Sequence, residues 1–199
     1  LSKEDFQKSI EFDLEDSPTA LLTFHPVTLD FSSAEEQFDE VLAALAERPE
    51  MKIIFTMPNS DTDGRVIIKM INDFVSKNPK QYKAFVSLGQ LRYLSALKHV
   101  DLVIGNSSSG LIEAPSFKIP TINIGDRQKG RIEASSVVNC KPTRFSLSQA
   151  LNHAFDPNFQ KSLVTLNNPY GEPGASQKIK DILCEFELEN IIKKNFYNL

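Results

Sequence analysis

Val103-Ile-Gly-Asn-Ser-Ser-Ser-Gly-Leu-Ile-Glu-Ala-Pro115 continues through Ser116-Phe-Lys118 into Ile119-Pro-Thr-Ile-Asn-Ile-Gly-Asp-Arg-Gln-Lys-Gly-Arg131, and the fold is decided in this stretch. Asp101 to Gly105 reads as a strand, followed by a turn of small polar residues. A helical segment from about Ser108 to Phe117 comes next, then a second strand from Pro120 to Gly125. Strand, turn, helix, strand is one βαβ unit of a parallel sheet, and its crossover should be right-handed. Pro115 predicts a bend in the connecting helix, because proline removes an N–H and crowds the preceding turn.

The same alternation extends in both directions. Upstream, Ala20 to Phe24 is an apolar run ending at His25-Pro26. Ser33 to Glu47 then sets Phe38, Val41, Leu42 and Leu45 on one helical face, with Ser33 and Glu36 spaced as a capping box. Met51 to Met57 is a strand closed by Pro58-Asn59-Ser60-Asp61, and Ile67, Met70, Ile71, Phe74 and Val75 mark the next helix. Tyr82 to Leu88 reads as a strand and Leu91 to His99 as a short helix. Downstream, Ser136 to Asn139 is a sixth strand, Leu147 to Phe155 a helix, Asn167 to Gly174 a loop, and Ser176 to Asn195 one or two terminal helices. The strands are continuous apolar runs, as strands covered on both faces should be. The fold class expected is therefore α/β, a Rossmann-like parallel sheet flanked by helices. Ser2 to Ser17 is charged and shows no pattern.

Bulk properties narrow the function. The 199 residues are 41% apolar and 24% charged, the mix of an ordinary globular domain with enough chain for a core. A net charge of −4 offers no basic field for nucleic acid or anionic membrane. Cys140 and Cys184 have no Cys or His partner at metal-ligand spacing, so no metal is expected and both stay thiols, as in a reducing compartment. No apolar run approaches a membrane span or a signal segment, so the expected location is the cytoplasm.

In an open parallel sheet, ligands bind beyond the carboxyl ends of the strands. The polar residues there are His25, Asn59 and Asp61, Ser87, Asn106 to Gly110, and Asp126 to Arg131. Strand, small polar turn and helix start together offer free N–H groups and a positive dipole end to a phosphate. One serine would read as a helix cap; three before a glycine favour the phosphate reading. Glu113 can accept from a ribose diol or merely offset the helix dipole. Arg127, Lys129 and Arg131 form a basic loop, suited to a diphosphate or simply solvated. His25, held extended by Pro26, can contact phosphate, transfer a proton or be structural. No Ser-His-Asp order, metal cluster or P-loop motif occurs in the sequence. Composition and pattern reach a nucleotide-binding α/β domain and stop there.

The two long motifs, Ile104 to Pro115 and Ile119 to Arg131, with Thr23-Phe-His-Pro-Val-Thr28, closely resemble the UDP-N-acetylglucosamine 2-epimerase family, in its hydrolysing branch. The Thr-Glu-Arg-Pro segment typical of the non-hydrolysing branch is absent here. The resemblance implies a GT-B-like architecture of two Rossmann-like domains, of which residues 19–199 would be the C-terminal, UDP-binding one. Residues 1–18 would be the interdomain crossover or the tail of an N-terminal domain that supplies further catalytic carboxylates.

It also implies site roles: Ser107 and Ser108 on the diphosphate, Glu113 on the ribose, Arg127 neutralising charge, and Asn59 on the nucleotide. Phe85 to Leu88 would lie against uracil, His25 at the reaction centre, and Asp61 and Arg131 would be further UDP contacts. No cofactor is implied. The implied partners are UDP or UDP-N-acetylglucosamine and the missing domain, with a homo-oligomer when full length. The implied reaction releases UDP and N-acetylmannosamine for sialic-acid-type sugars, and this chain alone would be inactive. Two alternatives stay open: the donor-binding domain of a GT-B glycosyltransferase, and a non-enzymatic UDP-sensing module.

Overall fold

The expected βαβ alternation is present in the computed structural model, which describes residues 1–14, 17–27, 33–58, 64–171 and 173–187. Among these residues the strands are β1 (Thr19–Thr23), β2 (Lys52–Thr56), β3 (Tyr82–Phe85), β4 (Leu102–Gly105), β5 (Thr121–Ile124) and β6 (Val137–Cys140). They form one parallel sheet in the order β3-β2-β1-β4-β5-β6. This is the doubly wound Rossmann order, and its direction reverses between β1 and β4. A crevice opens at such a switch point, so the ends of β1 and β4 locate the site before any side chain is considered.

Successive residues of each strand feed opposite apolar layers. Ala20, Leu22, Ile53 and Phe55 face α2 (Ala34–Ala46), α3 (Gly64–Lys77) and α6 (Arg144–Ala154), packing with Phe38, Leu45, Ile67, Ile71 and Leu151. Leu21, Ile54 and Val103 face the other way, toward α1 (Lys3–Ile10) and α4 (Gly89–His99), where Phe6, Ile10, Ala96 and Leu97 are buried. Burying each such side chain contributes about 1.5–3 kcal/mol, which is why both sheet faces must be covered. The Ser33 capping box forms as expected: the Glu36 N–H donates to Ser33 Oγ at 3.1 Å, and the Ser33 N–H to Glu36 Oε2 at 3.0 Å.

Three local features differ from expectation. The unpatterned N-terminal stretch contains α1, capped by Ser2, whose Oγ accepts from the Asp5 N–H at 3.1 Å. Its buried face is only Phe6 and Ile10, one i, i+4 pair and too little to register as periodicity. The segment after β4 is broken rather than bent. α5 (Ser109–Ile112) ends at Glu113, and a 3-10 turn, Ala114–Phe117, takes over with Pro115 inside it. Beyond α6, the short helix α7 (Pro157–Ser162) starts on an Asp156 cap with proline at its first position.

The chain divides into two compact units, residues 1–169 and 170–199. All six strands belong to the first. In the second, α8 (Ala175–Glu185) is the described helix, and Ile179, Ile182 and Leu183 are exposed on it.

Two glycines let the β4–α5 turn exist. Gly105 has φ +133°, and a Cβ there would lie 1.9 Å from the Thr23 carbonyl oxygen, so any side chain collides with the backbone of β1. Gly110 seats α5 on the sheet: a Cβ would lie 2.6 Å from Thr121 Cγ2, and Thr121 Oγ1 donates to the Gly110 carbonyl at 2.9 Å.

Candidate functional site

The turn after β4 is organised by Asn106, which is fully buried. Its Oδ1 accepts from the His25 N–H at 2.7 Å and its Nδ2 donates to the His25 carbonyl at 2.8 Å. Its own N–H donates to the Thr23 carbonyl at 3.2 Å. Its carbonyl accepts from Gln128 Nε2 at 2.7 Å and from Arg127 Nη1 at 3.0 Å. One residue thus ties together the loops after β1, β4 and β5, three of the loops expected to converge.

Beside this turn lies a cleft of about 700 Å³ at the carboxyl ends of β1, β2 and β4, within the usual range of small-ligand sites. Thr23, Thr56, Ser107, Ser109, Glu113 and Tyr93 give it polar groups, while Met57, Pro58, Val86 and Leu88 supply apolar wall. Thr23 and Thr56 are register partners on β1 and β2, and their hydroxyls are hydrogen-bonded to each other. Tyr93 projects from α4 and donates to Ser109 Oγ at 2.5 Å. Burial raises the Tyr93 phenol above its ordinary pKa; the Ser109 bond opposes this and the Glu113 charge adds to it.

The expected site residues distribute as follows. Ser107 and Glu113 come together on this cleft. Ser108 is half-buried beside it, not among its lining residues; its carbonyl accepts the Leu111 and Ile112 N–H groups, and its hydroxyl caps nothing. His25 and Arg127 are joined to the same turn through Asn106. Asn59 and Asp61 fall outside the described residues, just after Pro58 of the cleft. Arg131 lies elsewhere, on a second cleft of about 720 Å³ with Asn123, Lys129, Glu133, Asn139 and Lys141, which shares no lining residue with the first. The first cleft is the better candidate, because it sits at the switch point and holds the turn that the fold builds for ligands.

Three contributors escaped the sequence, and Asn106 was expected only as one polar residue of the turn, without its bonds to His25. Thr23 and Thr56 stand at strand ends, and their pairing depends on sheet register. Tyr93 reads as an ordinary helix residue until α4 is docked beside α5.

In the second cleft, Cys140 is a free thiol pushed up by burial to about 12, hence neutral and unreactive near pH 7. Among the described residues there is no group of His, Cys, Asp and Glu able to hold a metal, and no helix long and apolar enough to cross a membrane.

Comparison with known proteins identifies the family and the fold. The family model described as UDP-N-acetylglucosamine 2-epimerase matches residues 1–184. The chain is 36% identical, over its whole length and 51% of the relative's, to "GDP/UDP-N,N'-diacetylbacillosamine 2-epimerase (hydrolyzing)" of Campylobacter jejuni. It is 34% identical to "Polysialic acid biosynthesis protein P7" of Escherichia coli, over 90% of this chain and 46% of that one. Among solved structures, UDP-GlcNAc 2-epimerase from Neisseria meningitidis bound to UDP-GlcNAc superposes with a TM-score of 0.68 at 16% identity, over 92% of this chain and 48% of that one. The chain spans about half the length of the curated relatives it matches. It belongs to the UDP-N-acetylglucosamine 2-epimerase family.

Proposed function

We propose that this chain is the UDP-holding half of a hydrolysing UDP-sugar 2-epimerase, with residues 19–199 as its C-terminal domain. Residues 1–18 would lead in from the other half. The observation that carries this reading is the placement of Ser107 and Glu113 on one cleft at the β1/β4 switch point, beside the Asn106 turn that also fixes His25 and Arg127. A serine turn suits a diphosphate and a carboxylate suits a ribose diol. Arg127 lies within reach of the same turn to offset phosphate charge, with Asn59 and Asp61 as further nucleotide contacts.

In this reading the reaction starts by elimination. The proton on sugar C2 is removed, C1=C2 forms, and the C1–O bond breaks with its electron pair leaving on UDP. Water then adds across the glycal: its oxygen bonds to C1 and a proton returns to C2 from the opposite face, giving the free 2-acetamido sugar with inverted C2. The cleft's part is to bind UDP and stabilise the negative charge that develops on the departing phosphate, a large electrostatic contribution in a preorganised site. His25 is the candidate for proton transfer, and the remaining acids and bases would come from the other half.

The substrate expected from the motifs is UDP-N-acetylglucosamine. The name of the Campylobacter jejuni relative favours a second reading, in which the sugar carries a further acetamido group. Product analysis with the whole enzyme tests both. Release of UDP with free N-acetylmannosamine supports the first, turnover of only the diacetylated substrate supports the second, and transfer of sugar to an acceptor would make the protein a glycosyltransferase. Persistent UDP binding without turnover of either sugar would make it a sensing module.

A further inference from the structure

Ser109, the third serine of the run, was assigned no contact of its own, yet it lines the cleft and Ser108 does not. Tyr93 explains how its hydroxyl is oriented. A phenol, with a pKa near 10, is a far better donor than an aliphatic alcohol, so in the 2.5 Å contact Tyr93 donates and Ser109 Oγ accepts. The Tyr93 ring packs against the apolar layer that includes Leu88 and Leu97, so the donor is held from behind. A serine hydroxyl has one proton to give. With Tyr93 occupying one lone pair, that proton is directed away from α4, and among the described residues it meets no acceptor. Ser107 Oγ accepts the Ser109 N–H at 3.4 Å, so the two serines are adjacent on the cleft wall. Burial and the Glu113 carboxylate keep the phenol protonated around neutral pH.

We propose that Ser109 donates its hydroxyl to a phosphate oxygen of the bound nucleoside diphosphate, and that Tyr93 is the positioning residue that fixes Ser109 as a donor. This rests on the nucleotide reading given above. It adds to the phosphate reading of the serine run which hydroxyl donates and which residue orients it.

The test is a double-mutant cycle by calorimetric titration with UDP, on the wild-type chain, Tyr93→Phe, Ser109→Ala and the double variant. Thermal melting checks that each is folded. A lost bond to a charged acceptor should weaken UDP binding roughly tenfold for Ser109→Ala. Tyr93→Phe should lose several-fold, and the double variant no more than Ser109→Ala alone, because Tyr93 acts through Ser109. A Tyr93→Phe loss as large in the Ser109→Ala background as in the wild type would overturn the proposal, making Tyr93 a packing residue. So would undiminished binding by Ser109→Ala. Either result, with the wild-type chain binding UDP, leaves the nucleotide reading intact; failure of both this chain and the full-length protein to bind UDP removes both.

Discussion

Asn106 holds the backbone of His25 on both sides of its Cα, accepting from the His25 N–H at 2.7 Å and donating to its carbonyl at 2.8 Å. A side-chain amide here does what a neighbouring strand does within the sheet. It continues β1 past the point where pairing with β4 ends at Thr23–Gly105. The consequence is that His25 is placed by its main chain, whatever its ring does.

Asn106→Ala should therefore destabilise the fold by about 2–4 kcal/mol, since it strands buried polar groups and opens a cavity. His25→Ala keeps both backbone bonds and should cost much less. Urea denaturation of the two variants checks this; equal losses would mean that the clamp contributes nothing beyond the imidazole.

Gly105→Ala should prevent folding or cost upwards of about 3 kcal/mol, because its Cβ would meet the backbone of β1. Gly110→Ala meets only the Thr121 methyl, which is removable. Thr121→Ser keeps the hydroxyl for the Gly110 carbonyl and should restore much of the loss in Gly110→Ala while doing nothing for Gly105→Ala. Melting temperatures of the four variants decide it, and rescue of Gly105→Ala would contradict the backbone clash.

The two cysteines should differ in reactivity. Cys184 is exposed on α8, whereas Cys140 has its thiol pushed up to about 12 by burial. A thiol-specific disulfide reagent at pH 8 should label Cys184 quickly and Cys140 only slowly or after denaturation. The linkage follows the same sign. An unfolded thiol ionises near 8.5, so protonated Cys140 favours the folded state below that pH and the contribution is lost as pH rises toward 12. Equal labelling rates in the folded protein would refute the burial argument.

Arg127→Ala should weaken UDP binding by roughly tenfold or more, the cost of a charge-assisted contact. Its effect on melting should be small, because Gln128 still donates to the Asn106 carbonyl. An unchanged dissociation constant would remove Arg127 from the site.

Much of this was legible from the sequence because apolar runs and helical faces alternate so regularly. Ala20 to Phe24, Met51 to Met57 and Asp101 to Gly105 each become a strand within a residue or two of the expected limits. The turn that carries Ser107 and Glu113 was legible for the same reason: a strand end, a small-residue run and a helix start are local features. What failed to show depends on tertiary contact. α1 buries just Phe6 and Ile10, and its packing against α4 is invisible until the sheet exists. The Thr23–Thr56 hydroxyl pair needs the β1–β2 register. Tyr93 and Ser109 are 16 residues apart and meet only when α4 and α5 lie on the same side of the switch point. Arg131 and Arg127 look equivalent in the basic loop, yet Gly130, at φ +85°, precedes Arg131, which lines the second cleft.

The most direct test of the central claim is a calorimetric titration of this chain with UDP, with AMP as the control. Saturable binding of UDP and none of AMP is the expected result. AMP binding as tightly as UDP, or no UDP binding by either this chain or the full-length protein, would contradict the assignment of the switch-point cleft to a uridine nucleotide.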